Sequence, residues 1–147
     1  MIGVDPKRSS EFTIDTAFEI FPRLKDMKNR MGGMMSGGEQ QMLAVARSMM
    51  SNPKLLLLDE PLEGLSPLVV QELGNAISRL KQQGLMSILL SEQNVGFAMD
   101  LCNRVYIIDK GQIKYHGSMK EFGESKDIQE MYLTVCGGRR RQDATNR

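Results

Sequence analysis

Met35-Ser36-Gly37-Gly38-Glu39-Gln40-Gln41, followed by Leu55-Leu56-Leu57-Leu58-Asp59-Glu60-Pro61, is the stretch whose reading decides the fold. Serine followed three residues later by glutamate is a capping box, in which each side chain takes an orphan backbone N–H of the other residue. It predicts a helix opening at Ser36 and running to about Met50. Met42, Val45 (or Ala46) and Met49 then fall at the spacing of a buried stripe. The four leucines, bracketed by Pro53 and Pro61, are too few for a helix. They read as a strand buried on both faces, the pattern of a parallel sheet. Two carboxylates, Asp59 and Glu60, stand at the carboxyl end of that strand, where open α/β sheets place their ligands.

Outward from this stretch the periodicity alternates. Glu11 to Phe21 carries Phe12 (or Ile14), Ala17 (or Phe18) and Phe21 at helical spacing. Pro22 can start a second short helix to about Lys28, and Gly32-Gly33 break the pattern into a loop over Asn29–Met35. Ser66-Pro67 opens a helix in which Val69, Leu73, Ala76 and Leu80 share a face until Gly84 stops it. Met86–Leu90 reads as a second buried strand, followed by a helix near Val95–Leu101. Val105–Asp109 and Gln112–His116 read as strands joined at Lys110-Gly111. Ser118 with Glu121 forms a second capping box, and Ile128–Leu133 a last helix. The order is that of an α/β fold, helices covering a mainly parallel sheet, with a carboxyl-terminal β-hairpin.

Composition narrows the function classes. The chain has 147 residues, 41% of them apolar, enough for one domain with a real core. Four of its 19 basic and one of its 18 acidic residues lie in Arg139–Arg147, leaving 15 against 17, a net −2, for the rest. A slightly acidic body lacks the basic face of a duplex-DNA binder, so no nucleic-acid partner is expected. Arg139-Arg140-Arg141 reads as part of a solvated, mobile tail. Cys102 and Cys136 make neither a metal spacing nor a disulfide framework, which fits a reducing cytosol. No apolar run approaches the roughly 20 residues of a membrane span, and no signal-peptide core follows Met1.

Two motifs offer chemistry, each beside a plainer reading. Ser36-Gly37-Gly38 sits at a helix N-terminus, where free N–H groups attract anions and a glycine lets a phosphate reach the backbone. The plainer reading is an ordinary cap after a flexible loop. Asp59-Glu60 after a buried strand has the form of a Walker B element. The first carboxylate would hold Mg²⁺ through water, and the second would orient or deprotonate an attacking water. The plainer reading is a strand that simply surfaces in acids.

Together, in this order and with a helix between them, the motifs resemble the ATP-binding-cassette ATPases. There the first stretch is the signature motif and the second is Walker B with its catalytic glutamate. Gly64-Leu65-Ser66-Pro67 looks like the family's D-loop. Phe21-Pro22-Arg23-Leu24, Ser51-Asn52-Pro53 and Ser91-Glu92-Gln93-Asn94 are similar to the ATPase subunits of branched-chain amino-acid importers. Gln93 takes the slot where most relatives carry the H-switch histidine. His116, the one histidine, follows a hairpin strand and reads as a surface residue.

The resemblance implies a truncated P-loop NTPase fold. Residues 1–50 would be a partial helical subdomain and residues 51–137 the Walker B side of the core, with 138–147 the basic tail. It implies catalytic Glu60 and Gln93, a Mg²⁺ ligand in Asp59, and a signature (Ser36, Gly37, Gly38, Glu39) that contacts the ATP of a paired domain in trans. It also implies D-loop residues Gly64, Leu65 and Ser66. Expected partners are a second ATPase subunit and membrane permease subunits, at the cytoplasmic face of the membrane. The phosphate-cradling Walker A pattern departs: no Gly-Lys pair occurs anywhere in the chain. Turnover by the chain alone is therefore not expected, and Mg²⁺ and ATP belong to the intact family. Leu62 and Glu63 stand where small or polar residues are usual. With strands missing beside Leu55–Leu58, self-association is expected. An interaction module that pairs with an intact ATPase is the alternative. A chromosome or DNA-repair ATPase ranks last, because residues 1–35 carry no heptad run.

Overall fold

A computed structural model describes residues 12–84 and 86–131. The described residues divide into two compact units, with the boundary between Val95 and Gly96.

In the first unit, Thr13 caps α1 (Ile14–Ile20) and Pro22 is the first residue of α2 (Pro22–Asp26). After a 3₁₀ turn at Gly32–Met34 comes α3 (Gly37–Met49), capped by Ser36 as its capping box predicts. Then follow β1 (Leu55–Asp59), α4 (Pro67–Gln83) and β2 (Ser87–Ser91). Gly84 ends α4 in the left-handed conformation, at φ +65°, where a side chain would be strained. Helix α1 lies against α2 and α4, and α2 against α3. The Arg79 guanidinium ties α4 to α1 through the Glu19 carbonyl, at 2.9 Å. Both expected stripes are buried: Met42, Val45, Ala46 and Met49 on α3, and Val69, Leu73, Ala76 and Leu80 on α4.

Strands β1 and β2 pair in parallel, Leu55 opposite Ser87 through Asp59 opposite Ser91. The strands are not buried on both faces as the run of leucines suggests. Leu56 and Leu58 are buried, but Leu55 is 51% exposed, Leu57 65% and, across from it, Leu89 57%. A continuous apolar run carries no period that separates one covered face from two, and here only one face is covered. Among the described residues β1 has β2 as its sole partner, so its other edge is unpaired. β2 likewise alternates exposed and half-buried residues and begins at Ser87 rather than Met86.

The second unit holds nearly all of α5 (Val95–Leu101), the antiparallel hairpin β3 (Arg104–Asp109) and β4 (Gln112–Ser118), and α6 (Met119–Glu124). Lys110 (φ +50°) and Gly111 (φ +73°) form its two-residue turn, the left-handed pair that matches strand twist. Both hairpin strands run a residue or two beyond their predicted bounds, and a register shift between Ile107 and Ile108 marks a bulge. Ser118 caps α6 as expected. Residues 126–131 are helical, and the rest of the predicted last helix lies outside the described residues, as do Cys136 and the basic tail.

Candidate nucleotide-handling site

Two hydrogen-bond networks gather the candidate residues in the first unit. One surrounds the start of α3. Ser36 Oγ accepts from the Glu39 amide at 3.4 Å, and the Ser36 amide donates to Glu39 Oε2 at 2.8 Å. Gln40 Nε2 donates to the carbonyls of Gly32 and Met35, fastening the preceding loop to the helix. Arg30 lies 3.5 Å and Arg23 3.9 Å from the Glu39 carboxylate, and Arg23 also pairs with Glu72 of α4 at 2.9 Å. The Ser36 amide bond holds the Glu39 carboxyl below the usual glutamate range, aided by the Ser36 hydroxyl and the two arginines. The hydrogen bond and charge of Glu72 push the Arg23 guanidinium upward.

The two signature glycines do different work. Gly37 is exposed, and a β-carbon built there would meet nothing within 4 Å, so its backbone lies open to a ligand. Gly38 is buried, and its β-carbon would sit 2.6 Å from Val69 Cγ1. Sequence reasoning assigned both glycines to phosphate approach. Gly38 is in addition the close-packing point between α3 and α4, a role only the partner helix reveals.

The second network joins the carboxyl ends of β1 and β2. Glu60, left-handed at φ +41°, donates its amide to the Ser91 carbonyl at 2.9 Å. Gln93 Nε2 donates to Glu60 Oε1 at 2.7 Å, so the two residues expected to work together are in contact. Glu92, to which sequence reasoning assigned no role of its own, accepts the Leu62 amide on Oε1 at 3.2 Å and the Asn94 amide on Oε2 at 3.1 Å. Asp59 ends β1 exposed to solvent. The following loop folds as tight turns, Glu63 N to Glu60 O and Leu65 N to Leu62 O, with Gly64 at φ +71°. Leu62 is buried and Glu63 exposed. Ser66 starts α4 without a side-chain cap bond. His116 is exposed and stacks on Tyr106, a surface residue as expected.

Among the described residues no three histidine, cysteine or carboxylate groups converge into a metal cage. Asp59 is the exposed carboxylate at this strand end that could hold a magnesium ion together with phosphate oxygens and water. Among the described residues no helix is long and apolar enough to cross a membrane.

Residues 9–63, which include Ser36–Glu39 and Asp59-Glu60, match the family described as ABC transporter. The chain is 40% identical over 127 residues to the high-affinity branched-chain amino acid transport ATP-binding protein BraG of Pseudomonas aeruginosa, covering 86% of this chain and 54% of BraG. It is 32% identical to the lipopolysaccharide export system ATP-binding protein LptB of Escherichia coli, over 85% of this chain and 52% of LptB. A nucleotide-free ATP-binding cassette from an ABC transporter superimposes with a TM-score of 0.66 at 26% identity, over 86% of this chain and 51% of that one. The chain therefore spans about half the length of the curated relatives it matches. Motifs, sequence similarity and fold agree with the ABC transporter family, whose model matches residues 9–63.

Proposed function

We propose that this chain supplies the signature and Walker B side of the ATP-binding subunit of an amino-acid importer. The observation that carries the reading is the start of α3, where a closed capping box presents exposed Ser36 and the open Gly37 backbone. Such a terminus offers free amides and the positive end of the helix dipole to an anion. In this reading the anion is the terminal phosphate of ATP held by a paired ATPase domain. Ser36 Oγ and the Gly37 amide donate to its oxygens, while Gly38 keeps the helix seated on α4. The 40% identity to BraG, against 32% to LptB, supports an importer of branched-chain or similar amino acids over an exporter.

The β1 end has the complementary task. Nucleotide-bound magnesium would supply charge neutralisation at the phosphates. Asp59 is the carboxylate placed to hold that ion, Glu60 orients or deprotonates water, and Gln93 holds Glu60. A glutamine keeps this bond without carrying a charge that changes near neutral pH, unlike a histidine. Stabilising a phosphoryl transition state needs a lysine and the metal together. The sequence has no Gly-Lys pair, so the chain alone is read as inactive. The exposed Leu55, Leu57 and Leu89 face favours self-association of the isolated chain. Working partners are an ATPase domain with a phosphate loop and permease subunits that place the chain at the cytoplasmic face of a membrane.

The test is association. Mixed with an intact, hydrolysis-deficient ABC ATPase of the BraG type, the chain is expected to form a heterodimer in ATP and not without it, as read by analytical ultracentrifugation. Ser36→Arg places bulk in the phosphate path and abolishes the complex. Association that ignores both ATP and Ser36→Arg overturns the proposal in favour of an interaction module that uses the same fold without nucleotide.

A further inference from the structure

We propose that Glu92 is a positioning residue that clasps the loop after β1 to the loop after β2, and so fixes the Glu60–Gln93 pair. The catalytic meaning of this clasp rests on the function proposed above; its geometry does not.

Four hydrogen bonds between described residues join residues 60–62 to residues 91–94 or close the second loop on itself. Two would be present at almost any parallel strand end or depend directly on the pair: Glu60 N to Ser91 O, and Gln93 Nε2 to Glu60 Oε1. The other two come from one carboxylate, half-buried, whose oxygens accept from Leu62 and Asn94. Leu62 and Asn94 flank the pair, one two residues past Glu60 and the other next to Gln93. The Glu92 carboxylate therefore sets the spacing between the two backbones on which Glu60 and Gln93 are mounted.

The spacing needs a device. Glu60 sits at φ +41°, a left-handed conformation that is strained for a non-glycine residue and persists only where neighbours impose it. The Glu60 amide bond to Ser91 fixes one side of that residue, and the Leu62 amide bond to Glu92 fixes the other. A carboxylate suits the role because it is acceptor-only and has two oxygens, so it serves both amides at once. Hydrogen bonds to a charged acceptor are also stronger than neutral ones. Gln93, whose carboxamide is turned to Glu60, then needs no bond of its own to the Leu62 backbone to stay in place.

Amide hydrogen exchange and the side-chain NH₂ signals of Gln93, both read by NMR on the whole chain, test this. Glu92→Ala is expected to speed exchange at Leu62 and Asn94 by at least about fivefold, the worth of one ordinary hydrogen bond. It should also move the Gln93 NH₂ signals to those of free glutamine, with exchange inside α3 and α4 unchanged. Glu92→Gln keeps one acceptor oxygen and should release only one of the two amides, which carries the test if the alanine variant fails to fold. Gln93→Ala should leave Leu62 and Asn94 protected. Unchanged Gln93 signals in Glu92→Ala, or loss of Leu62 and Asn94 protection in Gln93→Ala, overturns the proposal. Neither outcome depends on whether the chain pairs with another ATPase in ATP, so the clasp and the functional reading can fail separately.

Discussion

Ser36-Gly37-Gly38-Glu39 and Ser118-Met119-Lys120-Glu121 close the same pair of bonds and lead to different surroundings. At α3 the first helical residue is Gly37, exposed and open; at α6 it is Met119, buried. Before the α3 cap runs a loop fastened by Gln40. Before the α6 cap stands Gly117, where a β-carbon would lie 2.6 Å from the Tyr115 hydroxyl. Glu39 is flanked by Arg23 and Arg30, whereas Glu121 has no ion pair among the described residues. Helix α3 has 13 residues and α6 has six, so the dipole behind the first terminus is the more developed. A capping box by itself therefore says only that a helix starts. Access to the amides, and the packing that fixes the terminus, separate a candidate anion site from a plain helix start.

The contrast can be broken most strongly at Gly38. Gly38→Ala puts a methyl group 2.6 Å from Val69 Cγ1, and valine has little rotamer freedom in a helix to move aside. Overpacking of this kind costs about 1–3 kcal/mol, offset in part by the better helix propensity of alanine. The net expectation is a loss of about 1–2 kcal/mol in urea denaturation, recovered in part by Val69→Ala. Gly37→Ala, one residue earlier and facing open space, is expected to be neutral or slightly stabilising. Equal losses at the two glycines would erase the division of labour between them.

Next in size are the serines. Ser36→Ala and Ser118→Ala each remove a cap and should each cost about 1 kcal/mol. They should diverge in function, since only Ser36→Ala is expected to weaken ATP-dependent pairing. Equal effects on pairing would mean that the two termini differ less than their exposure indicates.

Much of this was legible in the sequence, for a local reason. Capping boxes at Ser36 and Ser118, the stop at Gly84 and the turn at Lys110-Gly111 are written in a few adjacent residues whose preferences need no distant partner. The buried stripes of α3 and α4 follow from period alone. What was illegible depends on partners far along the chain. Leu55 and Leu57 look as apolar as Leu56 and Leu58, and only the folded packing decides which pair is covered. Gly38 reads like Gly37 until Val69, 31 residues later, comes to lie over it. Glu92 stands in a recognised stretch, but its role is not legible there because its partner at Leu62 is a backbone amide, which leaves no mark in a sequence.

The smallest expected effect concerns acid. Glu39 is held below the ordinary glutamate value first by the Ser36 amide; Glu121 is held low first by the Ser118 hydroxyl and then by the Ser118 amide. A carboxyl whose native value lies below its unfolded value of about 4.3 contributes stability that is fully present above that value. The contribution is lost as pH falls through the depressed native value. Both caps should therefore loosen on acidification, and neither should respond between pH 6 and 8. Glu39 has Arg30 and Arg23 as further stabilisers of its charge, so its loss should come with a salt dependence that Glu121 lacks. Glu39→Gln keeps a capping-box side chain at the third helical position while removing the titration. Its thermal midpoint, followed from pH 6 down to about 3, should fall less steeply than that of the parent chain. Glu121→Gln should flatten the same slope, with no change in its dependence on added salt. A parent midpoint that does not fall below about pH 5, or a Glu39→Gln slope equal to the parent's, would show that the Ser36 bonds do not hold in solution.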